Sequence, residues 1–250
     1  MPRQAREKSR TGIYHVMLRG INKQQIFEDQ EDYYKFLEVI NDYKTISGFE
    51  IYAYCLMGNH VHLLIKIVKE PIEQIFKRIG GKYVYWYNIK YQRVGHLFQD
   101  RFKSEPVETT DYFLTVIRYI HQNPVKAGLC KDIEDYPYSS YKEYVSEGKI
   151  VDKEFVLKMR DLERFIAFNK LKSDDRCLDV SEDKSVAIRV TDEQARTIIK
   201  KVSNCESVPE FQALDEKHRD KYLKKLKEKG LSIRQLSRLT GISISIIRKI

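Results

Sequence analysis

Apolar and polar positions alternate over residues 12–19 (GIYHVMLR), which predicts a strand ending at Gly20. Over residues 31–46, EDYYKFLEVINDYKTI, the period becomes helical, with Tyr34, Leu37, Ile40 and Tyr43 as the expected buried stripe. FEIYAYCLM (49–57) reads as a second strand, and Gly58-Asn59 as the tight turn that reverses it into a third, HVHLLIKIV (60–68). Pro71 opens a helix of about twenty residues in which the Gly80-Gly81 pair predicts a weak or bent point. GHLFQDRFKSEPV (95–107) reads as a further strand ending at Pro106. Thr110 is placed to cap a helix, DYFLTVIRYI onward, that Pro124 stops near Asn123. Strand, helix, strand, strand, helix, strand, helix predicts an α+β fold, a small antiparallel sheet with helices packed on it.

Beyond it, the aromatic, turn-rich YPYSSYKEYVS (136–146) is expected to wrap back over this domain. From residue 150 the pattern is helical, broken by the polar KSDDRCLDVSEDKS (172–185), a linker. The expected division is therefore 1–148, a helical extension and linker over 149–190, and a helical region over 191–250.

Composition, 42% hydrophobic and 32% charged, is that of a soluble globular protein. No stretch reaches the roughly 18 apolar residues of a membrane span, and MPRQAREKSR lacks a signal-peptide core, so a cytoplasmic protein is expected. Cys55, Cys130, Cys177 and Cys205 form no C-x-x-C pair and read as reduced, packed thiols. Charge is more telling once located. Residues 217–250 hold eleven Lys or Arg against Asp220 and Glu228, which accounts for the whole net charge of +9. Charge concentrated in this way suits contact with phosphates.

His60 and His62 are two apart on a predicted strand, so both leave one face with Cα atoms roughly 6 to 7 Å apart, close enough to converge on one metal ion. Val61, Leu63, Ile65 and Ile67 point the other way. On the helix after Thr110 the apolar stripe is Phe113, Val116, Ile117 and Ile120, and Tyr119 and Asn123 share one flank of it. Asn123 offers a carbonyl oxygen as a third ligand and Tyr119 a nucleophilic oxygen beside it. Tyr112 lies on the same flank two turns earlier, so position alone leaves two candidate nucleophiles. A neutral tyrosine, with a reference pKa of about 10, is a poor nucleophile and needs an activated electrophile. A divalent ion held by two imidazoles and an amide, with open positions, polarises a phosphate for that purpose.

His60-Val61-His62 with Leu63-Leu64, RYIHQNPV over 118–125 and YPYSSY from 136 together resemble the single-tyrosine HUH transposases of bacterial insertion sequences, in particular the REP-associated tyrosine transposases. The similarity runs from Thr11 to Tyr144 and includes Leu18-Arg19-Gly20 and the segment from His96 to Gln99. It implies a ferredoxin-like antiparallel sheet with helices on one side. It further implies that His60, His62 and Asn123 bind Mg²⁺ or Mn²⁺, and that Tyr119 rather than Tyr112 attacks DNA to leave a 5′-phosphotyrosyl link. The implied substrate is single-stranded or hairpin DNA, cleaved and rejoined by a metal-dependent endonuclease and strand transferase acting as monomer or homodimer. A non-catalytic DNA-binding regulator and a replication-initiator nickase are the alternatives. Tyr83, Tyr85, Trp86 and Tyr87 could stack bases, though most are expected in the core.

At the C-terminal end a basic helix, EKHRDKYLKKLKEKG, precedes IRQLSRLT, Gly241 and ISISIIRKI. Ser232 and Ser243 are placed to cap two short helices about a turn at Gly241, the layout of a helix-turn-helix over 232–250. The segment resembles the DNA-binding domain of bacterial replication initiators. Ser243, Ser245 and Arg248 are then expected to meet DNA, and Lys224, Lys225 and Lys227 its phosphates.

Overall fold

Four strands, β1 (Ile13–Arg19), β2 (Glu50–Met57), β3 (His60–Lys66) and β4 (Lys103–Pro106), form one antiparallel sheet in the order β2-β3-β1-β4. They belong to the first of two units, which divide between residues 182 and 183 of a computed structural model that describes residues 6–179 and 192–250. Helices α1 (Gln30–Ser47) and α2 (Ile72–Lys90) join β1 to β2 and β3 to β4, and both pack on one face, against Val16, Leu18, Ile51, Leu56, Val61, Leu63 and Ile65. That connectivity and strand order is the expected ferredoxin-like arrangement.

The opposite face is covered as well, which corrects the expectation of helices on one side only. Leu64, Cys55, Met57 and Ile13 on that face pack with Phe113, Val116, Ile117 and Ile120 of α3 (Thr110–Lys126). β2 is apolar at every position after Glu50, and β3 adds Leu64 to the same second face, so apolar side chains on both faces need covering. A β-bulge at Tyr52, between the pairs Ile51↔Ile65 and Ala53↔Leu64, adds that residue to the second face. As anticipated, residues 136–144 return to the sheet. Leu56 N–H donates to the Tyr138 carbonyl and Ser140 N–H to that of Tyr54, both over 2.9 Å, so this segment closes the open edge of β2. Tyr136 and Tyr144 add hydroxyl bonds to the carbonyls of Leu56 and Tyr52. Helices α4 (Tyr141–Val145), α5 (Lys153–Met159) and α6 (Leu162–Lys170) complete the layer, with Val156 and Phe165 fully buried in the α3 cluster.

Four local expectations change. In α1 the buried stripe is Tyr33, Phe36, Val39 and Ile40, and Tyr34 is 58% exposed. Both rows fit a helical period; the capping box of Asp29 and Asp32 and the stacking of Tyr33 on Tyr138 (3.6 Å) and Phe27 (4.4 Å) set the rotation. The cap of α3 is Thr109, which accepts from Tyr112 N–H, rather than Thr110. Pro124 does not stop α3. Ala127 N–H still reaches the Asn123 carbonyl (2.9 Å), and the helix ends in a Schellman motif at Gly128 (φ 69°), with Leu129 N–H on the Pro124 carbonyl. The strand expected over 95–107 is only β4, four residues on the sheet edge, where Pro106 removes no ladder bond from a central strand. Across Gly80-Gly81, α2 is continuous.

In the second unit α7 (Asp192–Ser203), α8 (Val208–Gln212), α9 (Glu216–Glu228), α10 (Ile233–Thr240) and α11 (Ile244–Lys249) enclose Ala195, Phe211, Leu223, Leu226, Leu236 and Ile247. Ser232 and Ser243 accept from Gln235 and Ile246 N–H as caps, and Gly241 takes the left-handed turn (φ 70°) between α10 and α11. Buried Asp192 accepts from Arg238 and Gln235, tying the start of α7 to α10. The expected 172–185 linker and the boundary at 190 fall in part on 180–191, outside the described residues. Among the described residues no helix is long and apolar enough to cross a membrane.

Candidate metal and tyrosine site

The second face of the sheet, under α3, holds the candidate residues. His60 opens β3 and His62 follows on the same side, opposite Met57 and Cys55 of β2 and Arg19 and Met17 of β1. Their ring centroids are 5.1 Å apart. Each ring is held through Nδ1: His60 lies 2.7 Å from Asn59 Oδ1, and His62 lies 3.0 Å from Nε2 of His15. His15, fully buried on β1, in turn places its Nδ1 2.8 Å from Glu105 Oε1 on β4. The Nε2 atom of His62 is buried without a hydrogen-bond partner. Burial pushes the His60 imidazole down to about 4 and holds His62 well below its ordinary value, aided there by the neighbouring His60 and His15. Both rings are thus neutral at neutral pH, the form that binds metal.

Tyr119 projects from α3 onto this pair, its ring edge-on to His62 (5.8 Å) and to His15 (5.9 Å). Its hydroxyl donates to Asp179 Oδ2 over 2.5 Å. Burial raises the Tyr119 hydroxyl above the usual phenol range, and the hydrogen bond to the Asp179 carboxylate raises it further by favouring the neutral phenol. Asp179 Oδ1 stands 4.0 Å from His62 Nε2, and donor atoms of His60, His62 and Asp179 all lie within 4.8 Å of one another. Segment 173–179 is fastened to α3 by Arg118 to Asp175 (2.6 Å) and to β4 by Leu178 N–H to Glu105 (2.9 Å).

His60, His62 and Tyr119 lie together, as their spacing in the sequence predicts. Asn123 is one turn beyond Tyr119 and 7% exposed, and its Nδ2 is buried without a partner. Tyr112 is occupied elsewhere, donating to Glu105 over 2.8 Å, and burial with that carboxylate raises its hydroxyl too. His15, Glu105 and Asp179 were missed. A polar His15 within the inward series Ile13, His15, Met17 was a readable signal. Asp179, in a polar stretch with no period, gave none. In the second unit Lys224 and Lys225 are exposed on α9 opposite buried Leu223 and Leu226, Lys227 is half-buried, and Ser245 and Arg248 are exposed on α11. The Ser243 hydroxyl caps α11 and lies 3.0 Å from that of Ser245. Of the aromatic group on α2, Tyr83 and Tyr87 are core, Trp86 is half-buried and Tyr85 is exposed.

A ferredoxin-like sheet with paired histidines opening a central strand and a helix-borne tyrosine against them is the class of architecture implied by the motifs. Residues 8–123 match the family model described as Transposase IS200 like, which bears out that resemblance. A REP-associated tyrosine transposase of Escherichia coli (strain K12) is 24% identical over 143 residues, 56% of this chain and 82% of that protein. A second relative, from Haemophilus influenzae, is 29% identical over 105 residues, 37% of this chain and 59% of that protein. A solved structure of a REP-associated tyrosine transposase bound to a REP hairpin shares the fold, with a TM-score of 0.51 at 20% identity over 61% of this chain and 94% of that one.

Proposed function

We propose that the protein is a transposase-like, metal-dependent DNA endonuclease and strand transferase that works through a covalent Tyr119 intermediate on single-stranded or hairpin DNA. The observation that carries this reading is the buried, unpartnered Nε2 of His62, which faces Asp179 and His60 beside the Tyr119 ring. A lone pair left bare in a dry site costs free energy unless something binds it. Two neutral imidazoles and a carboxylate, with the Asn123 amide one turn from Tyr119, form a donor set suited to a divalent cation such as Mg²⁺ or Mn²⁺. Once bound there, such a cation supplies charge neutralisation for the scissile phosphate.

The chain's own residues do the rest. Arg19, paired with His60 in the sheet, keeps Nε and Nη2 buried without partners, a fit for a phosphate oxygen of the strand being cut. Tyr119 Oη attacks phosphorus, its proton passes to Asp179, and the P–O3′ bond breaks. The departing 3′ oxygen takes up that proton, and the 5′ phosphate remains on Tyr119. Reversal with another 3′-hydroxyl rejoins the strand, and the ester keeps the phosphodiester energy so that no nucleotide is consumed. The second unit, with its helices α10 and α11 and the lysines of α9, adds DNA affinity through Lys224, Lys225, Lys227, Ser245 and Arg248.

The test is incubation with labelled hairpin-bearing single-stranded DNA and Mn²⁺ or Mg²⁺, followed by denaturing electrophoresis. A covalent adduct is expected that disappears with EDTA and in Tyr119→Phe, His60→Ala and His62→Ala. An adduct undiminished in Tyr119→Phe would sink the assignment.

A further inference from the structure

Three side chains in series run through the sheet behind the proposed metal site. They are Glu105 on β4, His15 on β1 and His62 on β3, joined by contacts of 2.8 and 3.0 Å. The two imidazoles are fully buried, and Glu105 is itself held by the Tyr112 hydroxyl (2.8 Å) and by Leu178 N–H (2.9 Å) on the same oxygen. Hydrogen-bond chemistry gives this chain a direction. A carboxylate only accepts, so His15 donates from Nδ1; with one proton on each ring, His15 accepts at Nε2 and His62 donates from Nδ1. The remaining nitrogen, His62 Nε2, carries a lone pair and is the buried atom that finds no partner.

We infer that His15 and Glu105 are positioning residues that lock His62 in the Nδ1–H tautomer and aim its Nε2 at a divalent cation, with Tyr112 and Leu178 N–H fixing the carboxylate. The inference rests on the metal reading of His62. Partners of this kind orient a ligating ring and raise its basicity, and their loss lowers metal affinity about 10–100-fold. It also gives Tyr112 an assignment. The tyrosine two turns before Tyr119 on α3 is a support for Glu105, not a second nucleophile.

Two measurements on the full chain test this. Mn²⁺ binding is followed by the electron paramagnetic resonance signal of free ion, and histidine tautomers by ¹⁵N-resolved NMR of the metal-free protein. Expected are an Nδ1–H signature for His62 in the wild type, and loss of Mn²⁺ affinity by about 10–100-fold in Glu105→Ala and His15→Phe. Glu105→Gln, which keeps an acceptor for His15, should recover most of that affinity. Because His15 is fully buried, the partly exposed Glu105 is the decisive site, with unchanged metal-free thermal unfolding as its control. If His62→Ala abolishes Mn²⁺ binding while Glu105→Ala binds within twofold of wild type, the relay is overturned and the metal site stands. Wild-type protein that binds no Mn²⁺, or binds it equally in His62→Ala, overturns both.

Discussion

The hydroxyl of Tyr119 donates to Oδ2 of Asp179 over 2.5 Å, two residues sixty apart in sequence. In that pairing the phenol stays neutral, and the proposed reaction passes its proton to Asp179. Asp179→Asn keeps the size of the side chain and removes its basicity. Formation of the covalent DNA adduct is expected to slow about 10²-fold, the usual contribution of a positioned base. Single-turnover adduct formation at saturating Mn²⁺ measures it, and an unchanged rate would remove Asp179 from the reaction.

His121, one turn before Val125 on α3, is fully buried between Asn169 (2.8 Å) and Ser140 (2.8 Å), and burial pushes its imidazole down to about 4 despite the Asn169 bond. The unfolded chain therefore takes up a proton at His121 before the folded protein does. Stability is expected to be intact above pH 6.5 and to fall as pH drops from there toward about 4, by up to about 3 kcal/mol from this residue. Urea unfolding across that window reads the slope. In His121→Gln the slope should flatten by close to one proton, whatever the variant's absolute stability.

Phe165 on α6 is fully buried and stacks on Tyr144 with centroids 4.2 Å apart. The first unit therefore extends well past residue 148, and α6 is part of its core. Phe165→Ala is expected to destabilise the protein by about 3–5 kcal/mol, the range for an aromatic cavity. A cost below about 1 kcal/mol in chemical unfolding would show that α6 is a dispensable appendage.

Lys224 and Lys225 stand exposed on α9 beside no carboxylate partner among the ion pairs of the described residues. If they meet DNA phosphates, replacing both with Ala should leave folding untouched. It should reduce the slope of log affinity against log salt by about 1.4 for single strands, about 0.7 for each contact. Binding to unpaired single-stranded DNA titrated over a range of salt gives the slope, and parallel lines for variant and wild type would take α9 off the interface.

Much of the site was legible because its signals are local. The i, i+2 spacing of His60 and His62 on a strand fixes their common face, and a turn at Gly58-Asn59 fixes where that strand starts. The flank shared by Tyr119 and Asn123 follows from helical pitch in the same way. Where two local patterns competed, the sequence could not choose. The rows at Tyr34 and at Tyr33 are equally periodic, and what decided was the stacking of Tyr33 on Tyr138, a residue more than one hundred positions away. Pro124 looks like a stop because its ring penalises the preceding turn, yet tertiary packing of α3 over β2 and β3 carries the helix through it.

By itself, then, the sequence determined the strand and helix order, the paired histidines, the facing tyrosine and the concentration of charge after residue 217. Only the tertiary structure decided that α3 roofs the second face of the sheet, and that Glu105, His15 and Asp179 join the site from an edge strand, a neighbouring strand and the segment after α6. The reason is physical. Periodicity records which way a side chain points within its own element, whereas a hydrogen bond between elements depends on strand order and register, which arise only when the sheet assembles.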